Sequence, residues 1–470
     1  TQSTWDISTT AHPNMNPWHL ITFIILVIPS SQSLEHKTAS YNSPKITMSP
    51  GSVIIRFFYD IEFPRGHAAL KSFTGEVVDE DGNPLPLHEA YVHHWAVERY
   101  FQRKGAVPLV DATDKIFHNP DHIYAGNSGT CQGNAISQHF AIGSETRGTN
   151  TLIPDPYAIV IGDPNEIPKG YEEKWLLNVH IIDTRGVVDE LKCAECQCRY
   201  YNVDVDNLGE RIPESYIGGM RCCYDGTQCQ LKEGFSGPSR SLFLRYTVKW
   251  VDMAENTIIP VKIFILDVTD TGRRTGHAEL APENGCQSEY DVEKCDTSVT
   301  EISCVYTKTT QLRVPVDGHI VYGVGHQHAG GIGTTLFGED QRVICNSVPI
   351  YGHGREVGDE EGYIVGMTVC KPTPGSVEIR ANEKLVLESR YNNTELHTGV
   401  MGLFYFLVAD PDRLPMKVSE SFQVMGQREF KRSSFARSVL MFGVGGLFGI
   451  VLPVCLRKKG IDEYYHISKP

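Results

Sequence analysis

Histidine carries most of the chemical possibility in this sequence. The segment VYGVGHQHAGG, Val321–Gly331, sets His326 and His328 one residue apart. In a β-strand, residues i and i+2 point to the same face, so both imidazoles reach one cation without backbone strain. Such a pair suits zinc, copper or iron; the plainer alternative is a buried pair satisfied by backbone carbonyls. His93 and His94, in YVHHWAV, are adjacent and would face opposite sides of a regular strand. They share an ion only where a bulge or a strand end intervenes. His180, in LLNVHIID, is a lone histidine at the edge of a strand and by itself reads as structural. Met401, in HTGVMGLFYFLV, alone reads as core filler. Beside two imidazoles its thioether would instead select a soft ion, Cu(I) above all, over zinc. His397 and His353 are rival ligands. No GxSxG, HExxH or P-loop occurs, and no carboxylate pair stands out among the 57 acidic residues.

Strands must position these side chains. Between Ser43 and Asp412 the chain offers SVIIRFFYDIEF, EAYVHHWAVERY, PYAIVIGD, KWLLNVHIID, SLFLRYTVKWV, IPVKIFILDV, GHIVYGVGHQH, EGYIVGMTVC, EKLVLESRY and MGLFYFLVAD. All are rich in β-branched and aromatic residues, and turn signals such as DEDGNP and FGEDQR separate runs of this kind. No long segment carries a helical apolar stripe. The pattern predicts an all-β fold of two tandem antiparallel β-sandwiches, since a body of about 370 residues is too long for one. The cysteine-rich, Gly/Pro-marked stretch Cys193–Ser241 marks the boundary. It gives a first sandwich at 44–235 with a Cys-rich end and a second at 236–412, then a polar juxtamembrane stalk at 413–437.

Of thirteen cysteines, Cys455 falls in an apolar C-terminal run, which leaves an even twelve in the body. That count predicts up to six disulfides of unspecified pairing and an oxidising compartment. Zinc is the rival, but CAECQC…CC lacks the paired CxxC spacing of a zinc ribbon. The segment LITFIILVIP, Leu20–Pro29, has the length of a signal-peptide core, with Met15 as the start and cleavage after about Ser33. Residues 1–33 are therefore read as an upstream extension and signal peptide, against the plainer alternative of a short buried segment. Residues 438–456 are free of charge and precede Arg457, Lys458 and Lys459. They predict a single transmembrane helix with a basic stop and a cytoplasmic tail at 457–470. Asn392 opens one glycosylation sequon, NNT. The net charge of −14 argues against nucleic acid as a partner.

From Ser43 to Asp412 the body resembles the stress up-regulated nodulin family of plants. SPGSVIIRFFYDIEFPRGH, EAYVHHWAVERY, VYGVGHQHAGGIGTTLFGED and HTGVMGLFYFLVADPD carry that likeness. The family name reports expression, not chemistry. More distantly, the order of motifs is similar to the ascorbate-dependent type II copper monooxygenases that hydroxylate peptidylglycine and dopamine. There an HH pair and a later histidine hold one copper, and an HxH pair and a methionine hold the other. The resemblance implies one copper at His93, His94 and His180 and a second at His326, His328 and Met401. It further implies one ion in each sandwich, ascorbate as reductant, and hydroxylation of a C–H bond on a small molecule or peptide. Tyr405 falls where the peptide-hydroxylating enzymes have a tyrosine near the substrate. GTCQGNAISQHFAIGSETRG is similar to the stretch between their HH pair and their lone histidine. Two departures stand out. Val324 replaces an arginine that grips the substrate carboxylate, and Leu403 replaces an asparagine, so a peptide ending in glycine does not fit. The alternative is a non-catalytic, stress-related surface binding protein on the same scaffold.

Overall fold

The computed structural model describes residues 35–109, 120–129, 131, 138–253, 257–271, 286–296 and 304–413. Each strand-like segment named above contains a strand. An 11-stranded sheet is the common layer. Its path runs through Lys37–Asn42, Arg240–Asp252, Ala68–Val78, Tyr157–Ile161, Ile259–Asp267, His397–Ala409, Gly318–Gln327 and Val369–Cys370. A 5-stranded sheet built around Val53–Tyr59, Tyr171–Asp183 and Ala90–Arg103 packs on one part of it. A 4-stranded sheet, Val305–Arg313, Lys384–Asn392, Gly331–Phe337 and Val343–Ser347, packs on another.

Period-two alternation explains how one strand serves two cores. In His397–Ala409, Tyr405, Leu407 and Ala409 join the core shared with the 5-stranded sheet, whereas Phe404, Phe406 and Val408 join the core under the 4-stranded sheet. Ile259–Asp267 does the same, with Ile263 and Ile265 on one side and Phe264 and Leu266 on the other. A strand buried on both faces must be continuously apolar, and IPVKIFILD and VMGLFYFLVA are nearly so.

The fold is all-β and disulfide-rich. Twelve cysteines pair as Cys131–Cys286, Cys193–Cys229, Cys196–Cys223, Cys198–Cys222, Cys295–Cys304 and Cys345–Cys370. The expected boundary at 235/236 falls just ahead of Arg240–Asp252, a strand that inserts between Lys37–Asn42 and Ala68–Val78. Ile259–Asp267 in turn pairs with both Tyr157–Ile161 and His397–Ala409 and so continues the same sheet. The described residues all belong to one compact unit ending at Arg413. The expected signal peptide, transmembrane helix and tail, and the stalk beyond Arg413, lie outside the described residues. Among the described residues no helix is long and apolar enough to cross a membrane.

Candidate metal centre

The strand Ala90–Arg103 pairs with Tyr171–Asp183, and its register shifts between Val92 and His94. His93 is the extra residue of that irregularity. A bulge is what two adjacent histidines need to turn toward one point. His94 lies directly across from His180. The His93 and His180 rings stack at 4.4 Å between centroids, and His94 and His180 meet edge-on at 5.1 Å. Ligand atoms of His93, His94 and His180 all lie within 4.8 Å of one another. An ion bound at about 2.0–2.1 Å spans roughly 4 Å between opposite nitrogens, so a small closure separates this arrangement from coordination. Two further groupings, His93 with Cys196 and Cys223, and Asp267 with Cys131 and Cys286, place a carboxylate or imidazole beside sulfurs. Those sulfurs are already bonded to each other as disulfides.

The HxH pair arrives from the opposite wall. Gly318–Gln327 pairs with His397–Ala409 so that His326 faces Leu403 and Val324 faces Tyr405. Continuing that register by one residue sets His328 across from Met401. Tyr391, fully buried, ties the two main chains together: its hydroxyl accepts from the His328 amide at 2.9 Å and donates to the Met401 carbonyl at 2.6 Å. The His328 ring stands 5.3 Å from His326 and 4.7 Å from His93. The two histidine sets, expected one per sandwich, therefore touch.

Neighbours determine which nitrogen each ring presents. Asn178 donates its amide to the Arg56 carbonyl at 3.3 Å, which turns its oxygen toward His94 Nε2 at 3.0 Å. His94 Nε2 then carries the proton, and Nδ1 keeps the lone pair. Glu145 Oε1 lies 2.6 Å from His326 Nδ1, which leaves Nε2 as the presenting atom. Glu145 sits in the buried turn Ser144–Thr146. Ser144 Oγ donates to the Ile364 carbonyl at 2.8 Å, and Thr146 Oγ1 accepts from Trp95 Nε1 at 3.2 Å and from the Gly75 amide at 3.1 Å. Gly143 is required there, because a Cβ would come within 2.8 Å of the His93 carbonyl, 2.9 Å of His326 Cε1 and 3.0 Å of Glu145 Oε2.

Within the cluster, four ring nitrogens are buried with no hydrogen-bond partner: His93 Nδ1, both nitrogens of His180, and His328 Nε2. Burial drives His93, His180 and His328 well below the ordinary histidine range, and neighbouring imidazoles add to the effect. His94 falls to about 4, again chiefly through burial. In His326 burial also acts downward, but the Glu145 carboxylate outweighs it and the net shift is upward. Neutral imidazoles with unpartnered lone pairs are the form that binds metal. The residues therefore fit a metal ion, and imidazole with a thioether on the same wall suits copper.

The centre opens on a cavity of about 420 Å³. His94, Ala96, Glu98 and Asn178 form one wall, while Tyr322, Val324, His326, Met401, Leu403 and Tyr405 form the other. Tyr405 is buried, and its hydroxyl donates to the His139 carbonyl at 3.3 Å. His397 is turned elsewhere, its Nδ1 2.9 Å from Glu195 Oε1. His353 is exposed and outside the cluster, and Asn392 is exposed at the end of its strand.

The profile of the family described as stress up-regulated Nod 19 matches residues 34–411. The chain belongs to that family. No curated protein matches it. The solved structures it is similar to include the STIV MCP, at 7% identity and a TM-score of 0.21 over 80% of this chain and 96% of that one. The infectious bursal disease virus VP2 subviral particle follows at 10% and 0.16, over 80% and 73%. The Cry4Aa toxin of Bacillus thuringiensis gives 8% and 0.17, over 73% and 58%. Likenesses at these scores carry no argument about this chain.

In this Nod 19 family member three residues of the site escaped the sequence reading. Glu145 lies in GSETRG and Asn178 two residues before His180, on the same strand face. Glu289 lies directly across from Met401. The period-two spacing of Asn178 and His180 was the one available signal, because it makes a polar residue the neighbour of a histidine on the site's face.

Proposed function

We propose that the protein is a copper-dependent oxidoreductase of an oxidising, extracytoplasmic compartment that hydroxylates a C–H bond of a small molecule held in the cavity. The observation that carries this reading is the convergence of three buried and two half-buried imidazoles, with four unpartnered ring nitrogens, where His94 and His326 line a largely apolar cavity. His93, His94 and His180 would hold one ion, and His326, His328 and Met401 a second. Bound copper would supply one-electron chemistry toward dioxygen, with ascorbate or a similar donor as reductant. The chain's own residues supply the rest. Asn178 and Glu145 hold the presenting nitrogens of His94 and His326 in place. Tyr391 fixes the distance between the His328 and Met401 main chains. Phe140, Leu403 and Tyr405 exclude water from the space where a substrate would lie. Six disulfides support an oxidising compartment. The charge-free segment 438–456 with its basic stop supports a single-span anchor.

Metal analysis of the purified full-length chain after copper loading tests the reading. Two coppers per chain are expected, with stepwise loss in His94→Ala and His328→Ala. No bound metal would overturn it and leave a non-catalytic binding protein. Full loading in Met401→Ile would remove Met401 from the ligand set.

A further inference from the structure

The cavity has a chemical bias that the imidazoles do not explain. Its walls include Phe57, Phe140, Ile142, Ile265, Leu403 and Tyr405, and no lysine or arginine lines it among the described residues. Apart from the imidazoles, its ionisable lining consists of Tyr322 and Tyr405 and three carboxylic acids, Glu98, Glu145 and Glu289. Glu145 is engaged by His326. Glu98 lies four residues along the strand from His94, roughly 13 Å at ordinary strand rise, toward the other end. Glu289 is different. Its Oε2 accepts from the Met220 amide at 3.1 Å, while its Oε1 is buried with no partner. Its position across from Met401 puts this unsatisfied oxygen beside the metal end of the cavity.

In the metal-free cavity an anionic ligand would lose its hydration, meet no lysine or arginine and face carboxyl groups, the His326 ring being already taken by Glu145. An ammonium would have to be desolvated together with a carboxylate, a combination whose cost commonly exceeds its Coulombic return. A hydroxyl satisfies the orphaned oxygen without moving a charge out of water. We propose that the cavity binds an uncharged, largely apolar small molecule bearing a hydroxyl group. The hydroxyl sits on Glu289 Oε1, and the apolar body lies between Phe57, Phe140, Ile265 and Leu403. The volume is at the small end for ligand pockets and suits on the order of 10–15 heavy atoms. The assignment names the substrate class of the centre proposed above and rests on that reading only for the chemistry that follows binding.

Equilibrium binding to the full-length chain, first with no metal added and then after copper loading, tests it with four probes on one skeleton. These are 4-phenylbutan-1-ol, butylbenzene, 4-phenylbutylamine and 4-phenylbutyrate. The alcohol is expected to bind about 5–10-fold tighter than butylbenzene, the worth of one hydrogen bond, and at least 10-fold tighter than the amine or the carboxylate. Glu289→Ala should erase the difference between alcohol and butylbenzene. Glu289→Gln, which keeps the shape, should retain part of it. In the metal-free series, equal or tighter binding of the carboxylate or the amine overturns the proposal. So does binding of none of the four probes, or an alcohol preference that survives Glu289→Ala. Because the first series is metal-free, a failure of copper to bind leaves this result standing, and a failure of the probes leaves the metal reading standing.

Discussion

Replacing His180 with leucine should stabilise the metal-free protein and abolish part of its stabilisation by copper. His180 is fully buried, and neither ring nitrogen has a partner. A neutral imidazole has one N–H and one lone pair to satisfy, and each unmet buried group costs about 1–3 kcal/mol. Leucine has a similar volume and removes both. Allowing about 1 kcal/mol for repacking around a branched rather than flat side chain, the net gain is about 1–5 kcal/mol. Unfolding entropy of about 2.1 cal/mol/K per residue makes this a rise in Tm of roughly 1–6 °C for a body of this size. Copper at 100 times its Kd would add about 2.7 kcal/mol to the wild type. The variant should lose the share that comes from the His93, His94 and His180 set. Calorimetry at pH 7.5, with chelator and then with copper, reads both effects. A variant destabilised by more than about 2 kcal/mol without metal, yet shifted by copper as much as the wild type, would refute the reasoning. The imidazole would then be a packing element whose nitrogens are not reserved for an ion.

Three further outcomes follow from named contacts. Burial pushes Glu98 up to about 7 against an opposing hydrogen bond from Tyr124. The folded state therefore holds a proton that the unfolded chain releases near pH 4.5, and stability falls as pH rises from about 4.5 to 7, by about 3 kcal/mol in all. Glu98→Gln should cancel that slope, so the variant gains on the wild type between pH 5 and 8 in denaturant titrations; parallel profiles would contradict it. Glu145→Gln should weaken copper binding by about 10–100-fold in chelator competition, because it loosens the hold on His326 without replacing a ligand. Gly143→Ala drives a methyl group into His326, Glu145 and the His93 carbonyl at once. It should cost copper affinity as well as about 1–3 kcal/mol of stability, whereas a loss of stability alone would place Gly143 outside the site.

The strands were legible because most of them bury at least one whole face. IPVKIFILDV and MGLFYFLVAD announce themselves by apolar content, and no helical period competes with them. Ala68–Val78 was not among the expected strands, although it sits between Arg240–Asp252 and Tyr157–Ile161. Its sequence, AALKSFTGEVV, mixes Lys71, Ser72, Thr74 and Glu76 into the run. Partners distant in sequence make that tolerable. Lys71 is 1% exposed yet pairs with Asp155 at 2.9 Å and with the Tyr157 carbonyl, and Ser72 meets Thr151 at 3.0 Å. Local pattern cannot reveal a polar residue satisfied from eighty positions away. Glu145 was hidden for the same reason. Nothing in GSET separates it from the other acids until the packing of Gly143 and the hydroxyl of Thr146 bury it against His326.

The contact between the two histidine sets has its origin in the shared sheet. Two sandwiches joined by a linker would keep an HH pair and an HxH pair on separate bodies, and the distant copper-enzyme resemblance implies such a division. Here the 11-stranded sheet carries His326 and Met401, while the 5-stranded sheet that brings His93, His94 and His180 packs against its face. The bulge at His93 then directs one ring across the gap to His328, with 4.7 Å between ring centroids. Since His180 and His328 each help to depress His93, neither histidine set can change its charge or its ligation without being felt by the other. An ion entering at His93, His94 and His180 therefore alters the field at His328. Loading of the two sets should be interdependent: His328→Ala should change the copper affinity of the His93, His94 and His180 set and not merely remove a second, independent ion. Titration of that variant with copper would show it as a shifted affinity for the ion that remains. An unshifted affinity would mean that the shared sheet brings the rings together without coupling them.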